Sequence, residues 1–244
     1  MTRAPLAQQR LLIELQALDS ALARLRHERR HLPVLARIEA TVERLKANKR
    51  EAVIADAGLS EAKKGATRRE DEVGQVVRRA GVLRERLSSG GAGARDLTAI
   101  QGEIDQLGRR QAVLEEAQLA AMESLEAAQG EVDRLAEEET AIRAAGRELT
   151  AERDAEFARL DAAIAEEQGK RDFLAGSVAA DLLADYDAVR EATGGVGAVA
   201  LYGRRVEGAA VEISPQEHAR IAAADEDEVI HAEDGDVIIV RMER

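Results

Sequence analysis

The sequence predicts a mainly α protein: a long antiparallel coiled-coil hairpin, roughly residues 5 to 192 within a domain spanning 1–192, followed by a small β-rich module at 193–244. Three observations predict it. Aromatic residues make up only 2% of the chain, charged residues 34%, and Trp and Cys are absent, a bias typical of long paired helices with a narrow apolar seam. Apolar residues recur in alternating three- and four-residue steps over most of the chain. After Glu191 that period gives way to short runs of β-branched residues between glycines.

The first arm runs from about Pro5 to Leu87. Pro5 suits a first helical turn, where a missing N–H is harmless, and Leu15, Leu18, Leu22, Leu25 and Leu32 mark the seam. The phase slips near Pro33, where a kink or short break is expected. Beyond Ala52 the repeat continues on smaller side chains and glycines, which predicts weaker packing.

The second arm begins near Asp96. Ile100, Leu107, Leu114, Ala121, Ala128, Leu135, Ile142 and Leu149 fall seven apart, the signature of one seam row. Between the arms lies SSGGAGAR, Ser88 to Arg95, whose consecutive glycines permit a reversal, with Asp96 placed to cap the next helix. Charge favours folding back. Residues 1–95 carry 20 Lys and Arg against 12 Asp and Glu, net +8, whereas residues 96–192 carry 10 against 24, net −14.

In the last segment, VGAVALYGRRVEG and EVIHAEDGDVIIV read as two hairpins, the second turning at Asp234–Gly235. Between them Ser214, Pro215 and Glu217 form the start signal of a short helix.

The opening LLIELQALDSALARL with Leu32–Pro33, the stretch RDLTAIQGEIDQL, and LLADYDAVREATGGVGAVALYGRRVEGAAVEISPQEHARI together resemble a bacterial family of coiled-coil hairpin proteins that end in a four-cysteine zinc ribbon. Aligning RRVEGAAVEISP and EVIHAEDGDVIIV with the ribbon motif places Val206, Ala209, Ala232 and Gly235 at its four ligand positions. The resemblance implies zinc; these side chains cannot bind it. A structural zinc contributes on the order of 10 kcal/mol to such a module, so a metal-free remnant held by its own apolar strands is expected, with no cofactor. Better-known members are similar to chaperone-like proteins that bind an alternative sigma factor and assist flagellar or type III export, which implies protein binding as the mode without carrying over those partners.

Other chemistry finds little support. The absence of cysteine excludes disulfides and thiol catalysis. The TGGVG run at Thr193–Gly197 lacks the lysine and following helix of a phosphate loop. His27 and His31 lie one helical turn apart, but Arg24, Arg26, Arg29 and Arg30 disfavour a metal cation there. His218 and His231 sit in an acidic module. A non-enzymatic adaptor or chaperone-like protein is therefore expected, with a nucleic-acid-binding or transcription-associated role as the alternative, disfavoured by the module's net charge of −6 (5 basic against 11 acidic residues). Glu14 and Asp19 interrupt the N-terminal apolar run, so no membrane segment is expected and the reading is cytoplasmic. Monomer and homodimer both fit. Candidate partner contacts are the hairpin tip, with Gly90, Gly91 and Arg95, and the exposed stretch Tyr202, Arg204 and Arg205, a composition favoured at interfaces.

Overall fold

A computed structural model describes residues 2–90, 93–208, 213–233 and 237–242. The protein is mainly α, a long helical hairpin with a small C-terminal mixed sheet. In chain order the elements are α1 (Leu6–Arg30), α2 (Pro33–Ser88), α3 (Ala94–Ala175), α4 (Ala180–Ala192), β1 (Ala198–Tyr202), β2 (Arg205–Glu207), α5 (Pro215–Ala223), β3 (Ile230–His231) and β4 (Ile238–Met242). They form two compact units: Met1–Leu35 with Ala151–Arg244, and Ala36–Thr150.

In the unit Ala36–Thr150, α2 and α3 pair antiparallel. Buried Leu59, Val76, Ala80 and Leu83 meet Ile100, Ile104, Leu135, Ile142 and Leu149 along the seam, each helix keeping the seven-residue repeat that holds its apolar row toward its partner. Toward the turn, Leu83, Ile100 and Ile104 form a cluster backed by Leu87 and Leu107. Charge crosses the seam as the arm composition implies: Arg44 pairs with Glu138 at 3.1 Å and Arg79 with Glu103 at 2.9 Å. Between Leu59 and Val76 the seam holds Ala62, Gly65, Ala66 and Val73, all only half-buried, because short side chains leave their neighbours uncovered. Ideal Cβ atoms built at Gly58, Gly65, Gly81, Gly102, Gly108 and Gly130 meet open space. These glycines therefore make no close helix approach.

The helix ends differ in detail from the sequence expectation. Pro5 stands one residue before α1, with extended ψ of 143°. Pro33 is the first residue of α2, where its missing N–H is harmless, and His31 and Leu32 separate the two helices. α3 starts at Ala94, two residues before Asp96. Asp96 is thus not the cap but lies in the first turn, its own N–H bonded to Gly93 O at 2.9 Å, where a carboxylate complements the helix dipole. At the turn Gly90 has φ +70°, a backbone state glycine adopts freely. Gly91 and Ala92 lie outside the described residues.

In the other unit the sheet order is β2-β1-β4-β3. The two expected hairpins, β1–β2 and β3–β4, are joined by parallel pairing of β1 with β4, with Ala198 opposite Ile238 and Tyr202 opposite Met242. The Asp234–Gly235 turn lies outside the described residues. Alternation along the strands supplies two apolar faces. Ala198, Ile238 and Val240 pack with Leu12 and Leu15 of α1 and Leu182, Tyr186 and Val189 of α4. On the other side Val199, Leu201 and Ile239 pack with Ile221 of α5. The module is therefore the middle layer between α1/α4 and α5. At the β3 edge the N-terminal residues add a strand-like segment: Ala4 N–H bonds to Asp227 O at 2.8 Å and Val229 N–H to Thr2 O at 3.2 Å.

Ser214 caps α5, its Oγ accepting from Glu217 N–H at 3.1 Å. Glu217 does not close the capping box that its place three residues after Ser214 allows. Its buried carboxylate accepts instead from Glu233 N–H at 2.8 Å, tying α5 to the segment after β3.

Candidate interaction surfaces

A buried polar network fixes the sheet onto the helices. Gln16 Oε1 accepts from Gly197 N–H at 2.7 Å, while Gln16 Nε2 donates to Gly195 O at 3.0 Å. Three residues on, Asp19 accepts from the Tyr186 hydroxyl at 2.9 Å and from Arg171 Nε at 3.0 Å. Arg171 also donates to Asp187 at 2.8 Å, and Arg190 lies 3.5 Å from Asp19. Burial and the adjoining Asp19 carboxylate push the Tyr186 phenol well above its ordinary range. Arg171 is held protonated by Asp19 and Asp187 despite partial burial. Gly197 admits no side chain, since a Cβ there would lie 2.5 Å from Tyr186 Cε2 and 2.9 Å from Tyr186 O. Sequence reasoning missed this network. The available signal was Gln9, Gln16 and Asp19 on the same α1 stripe as Leu12, Leu15 and Leu22, all buried.

On this base stands the β1–β2 hairpin. Tyr202 pairs with Arg205 across a two-residue loop, Gly203–Arg204, and Gly203 has φ +61°, suited to a primed turn. His218 Nε2 lies 2.7 Å from Gly203 O, anchoring the loop to α5. Tyr202 is half-buried, Arg204 exposed, and Arg205 is 80% exposed, 3.5 Å from Glu207. The three predicted residues are thus brought together on one turn, at the β2 edge of the sheet.

The positions aligned with zinc ligands divide. Val206 and Ala232 both pack on the α5-side apolar cluster, Ala232 fully buried. Ala209 and Gly235 lie outside the described residues. Among the described residues no group of three or more His, Asp and Glu side chains is arranged to hold a metal ion. At the hairpin tip, Ser88 and Ser89 donate their hydroxyls to Glu85 O and Arg86 O, and Gly90 and Arg95 are exposed; Gly91 is not described.

Residues 15–194 match the CT398-like coiled coil hairpin domain. The chain belongs to this family. Another protein similar to it is an uncharacterised protein of Mycobacterium tuberculosis, 35% identical over 242 residues that cover 99% of this chain and 98% of that one. A solved structure from Mycobacterium smegmatis has a TM-score of 0.82 at 30% identity, covering 98% of this chain and all of that one. CT398 of Chlamydia trachomatis, at TM-score 0.65 and 15% identity over 97% of this chain and 99% of its own, shares the fold. So does HP0958 of Helicobacter pylori, at TM-score 0.53 and 12% identity over 99% and 100%. In this CT398-like chain no described helix is long and apolar enough to cross a membrane.

Proposed function

We propose that this protein is a non-enzymatic, cytoplasmic adaptor or chaperone-like scaffold whose C-terminal module, free of metal, presents the β1–β2 hairpin to a protein partner. The observation that carries this reading is the fixed display of Tyr202, Arg204 and Arg205: an aromatic and two arginines on a turn anchored from behind by His218. Arginine and tyrosine are enriched at binding hot spots because each combines apolar contact area with a directional polar group. A turn already held in one conformation loses less entropy on binding than a mobile loop. Aliphatic packing of Val206 and Ala232 supports a module that needs no zinc, and elemental analysis showing one zinc per chain would refute that part.

The adaptor reading is tested by placing a photo-crosslinking amino acid at Tyr202 in the native host and identifying the adduct. A single protein adduct, lost in the Arg204→Glu/Arg205→Glu variant and kept in a charge reversal at Arg95, is the expected result. Recovery of nucleic acid in its place, weakening steeply with salt, would replace the adaptor with the nucleic-acid reading.

A further inference from the structure

The last turns of α1 and the break before α2 enclose an open recess of about 690 Å³. Ala23, Leu32 and Pro33 form its apolar floor, and Arg24, His27, Glu28 and His31 supply its polar lining. The two imidazoles stack, ring centroids 4.0 Å apart and planes inclined by 25°. His31 Nδ1 lies 2.8 Å from His27 O. A carbonyl can only accept, so Nδ1 carries the proton and a neutral His31 presents a lone pair at Nε2. Protonation turns that same atom into a donor.

Carboxylates stand near this cluster but are engaged by other cations: Glu166 and Glu167, which border a neighbouring recess together with Arg24, are held by Lys170 at 2.7 Å. Glu28 is engaged by Arg159 of α3 at 2.8 Å, Arg29 by Asp161 at 2.6 Å, and Arg26 donates to the neutral Gln168. Among the described residues Arg24 and Arg30 have no carboxylate partner.

We infer that this recess is a binding site for an organic phosphate monoester, its phosphoryl oxygens held by Arg24, His27 and His31 and its carbon skeleton seated on Leu32 and Pro33.

The test uses the full chain and histidine ring resonances, with His218 and His231 as internal references, and phenyl phosphate, inorganic phosphate and inorganic sulfate as probes. The expected result is saturable shifts at His27 and His31 alone, tighter for phenyl phosphate than for inorganic phosphate. Sulfate, which has no carbon skeleton to seat on Leu32 and Pro33, should bind no tighter than inorganic phosphate. The Arg24→Gln variant, a surface change in a helix, should abolish saturation while the circular dichroism stays unchanged. Shifts that rise linearly, appear equally at His218 and His231, or survive in Arg24→Gln overturn the site. Equal affinity for the two phosphates overturns its assignment to a monoester.

Discussion

The Tyr186 hydroxyl and the Asp19 carboxylate meet at 2.9 Å in the interior of the helix–sheet junction, although 167 residues separate them in the chain. Asp19 has a side chain only 4% exposed and also receives Arg171. Removing Asp19 takes the nearer acceptor from the buried Tyr186 hydroxyl and one of two carboxylates from Arg171, which keeps Asp187. Asp19→Ala is therefore expected to destabilise the protein by about 1–3 kcal/mol. Urea unfolding of the single and double variants with Tyr186→Phe should show that the two losses do not add. Additive losses would mean that the two side chains act independently.

The same pair fixes a dependence on alkaline pH. The Tyr186 phenol, ordinarily titrating near 10.0, is raised in the fold by burial and by Asp19. The folded state thus keeps its proton after the unfolded chain has released one, so the unfolded state binds fewer protons and stability falls as pH rises. This contribution is fully present below pH 10 and declines above it by about 1.4 kcal/mol per unit until the folded phenol ionises. Denaturation midpoints measured between pH 8 and 11 should bend downward near 10 in the native protein. The bend should shrink in Tyr186→Phe.

Two glycines should respond oppositely to alanine. At Gly197 the new methyl would collide with the ring and the backbone carbonyl of Tyr186, and a backbone obstacle cannot swing aside. A loss of about 2–4 kcal/mol is expected. At Gly130, in the interior of α3, the same atom meets open space, and restricting the unfolded chain should add about 0.5–1 kcal/mol. Thermal melts of the two variants displaced in the same direction would contradict this account.

Local patterns carried the helical part of this fold into the sequence. The seam from Ile100 to Leu149, the Gly90 reversal and the Ser214 cap each depend on neighbours within a turn or a heptad, so spacing alone revealed them. The break after Ala175 was not legible. It lies between Gly176 and Ala179, and the Ala179 N–H is satisfied by Gln8, 171 residues earlier. The use of α1 as the floor of the sheet was equally hidden, since Leu12 and Leu15 look like ordinary seam residues until α4 and β4 are placed against them. Of the candidate surface, the turn around Tyr202 could be read from its residues, whereas the His218 bond that steadies it joins positions 15 residues apart in different elements.

Within the hairpin, Asn48 occupies a seam position only 3% exposed. Its Nδ2 donates to Leu135 O at 3.2 Å, and its Oδ1 has no partner. A buried acceptor left unsatisfied is unfavourable, and leucine would fill the same space with apolar atoms. Asn48→Leu should therefore stabilise the protein by about 1 kcal/mol in urea unfolding. A polar seam residue also penalises alternative alignments, so the gain should bring a loss of register. Because the chain contains no cysteine, engineered pairs can report alignment directly: Arg44→Cys with Glu138→Cys for the observed register, and Arg44→Cys with Glu131→Cys for one slipped by a heptad. The native seam should yield only the first crosslink and Asn48→Leu should yield both. A stabilised variant that still gives the first product alone would place control of alignment in the Gly90 turn and the Arg79–Glu103 pair rather than in Asn48.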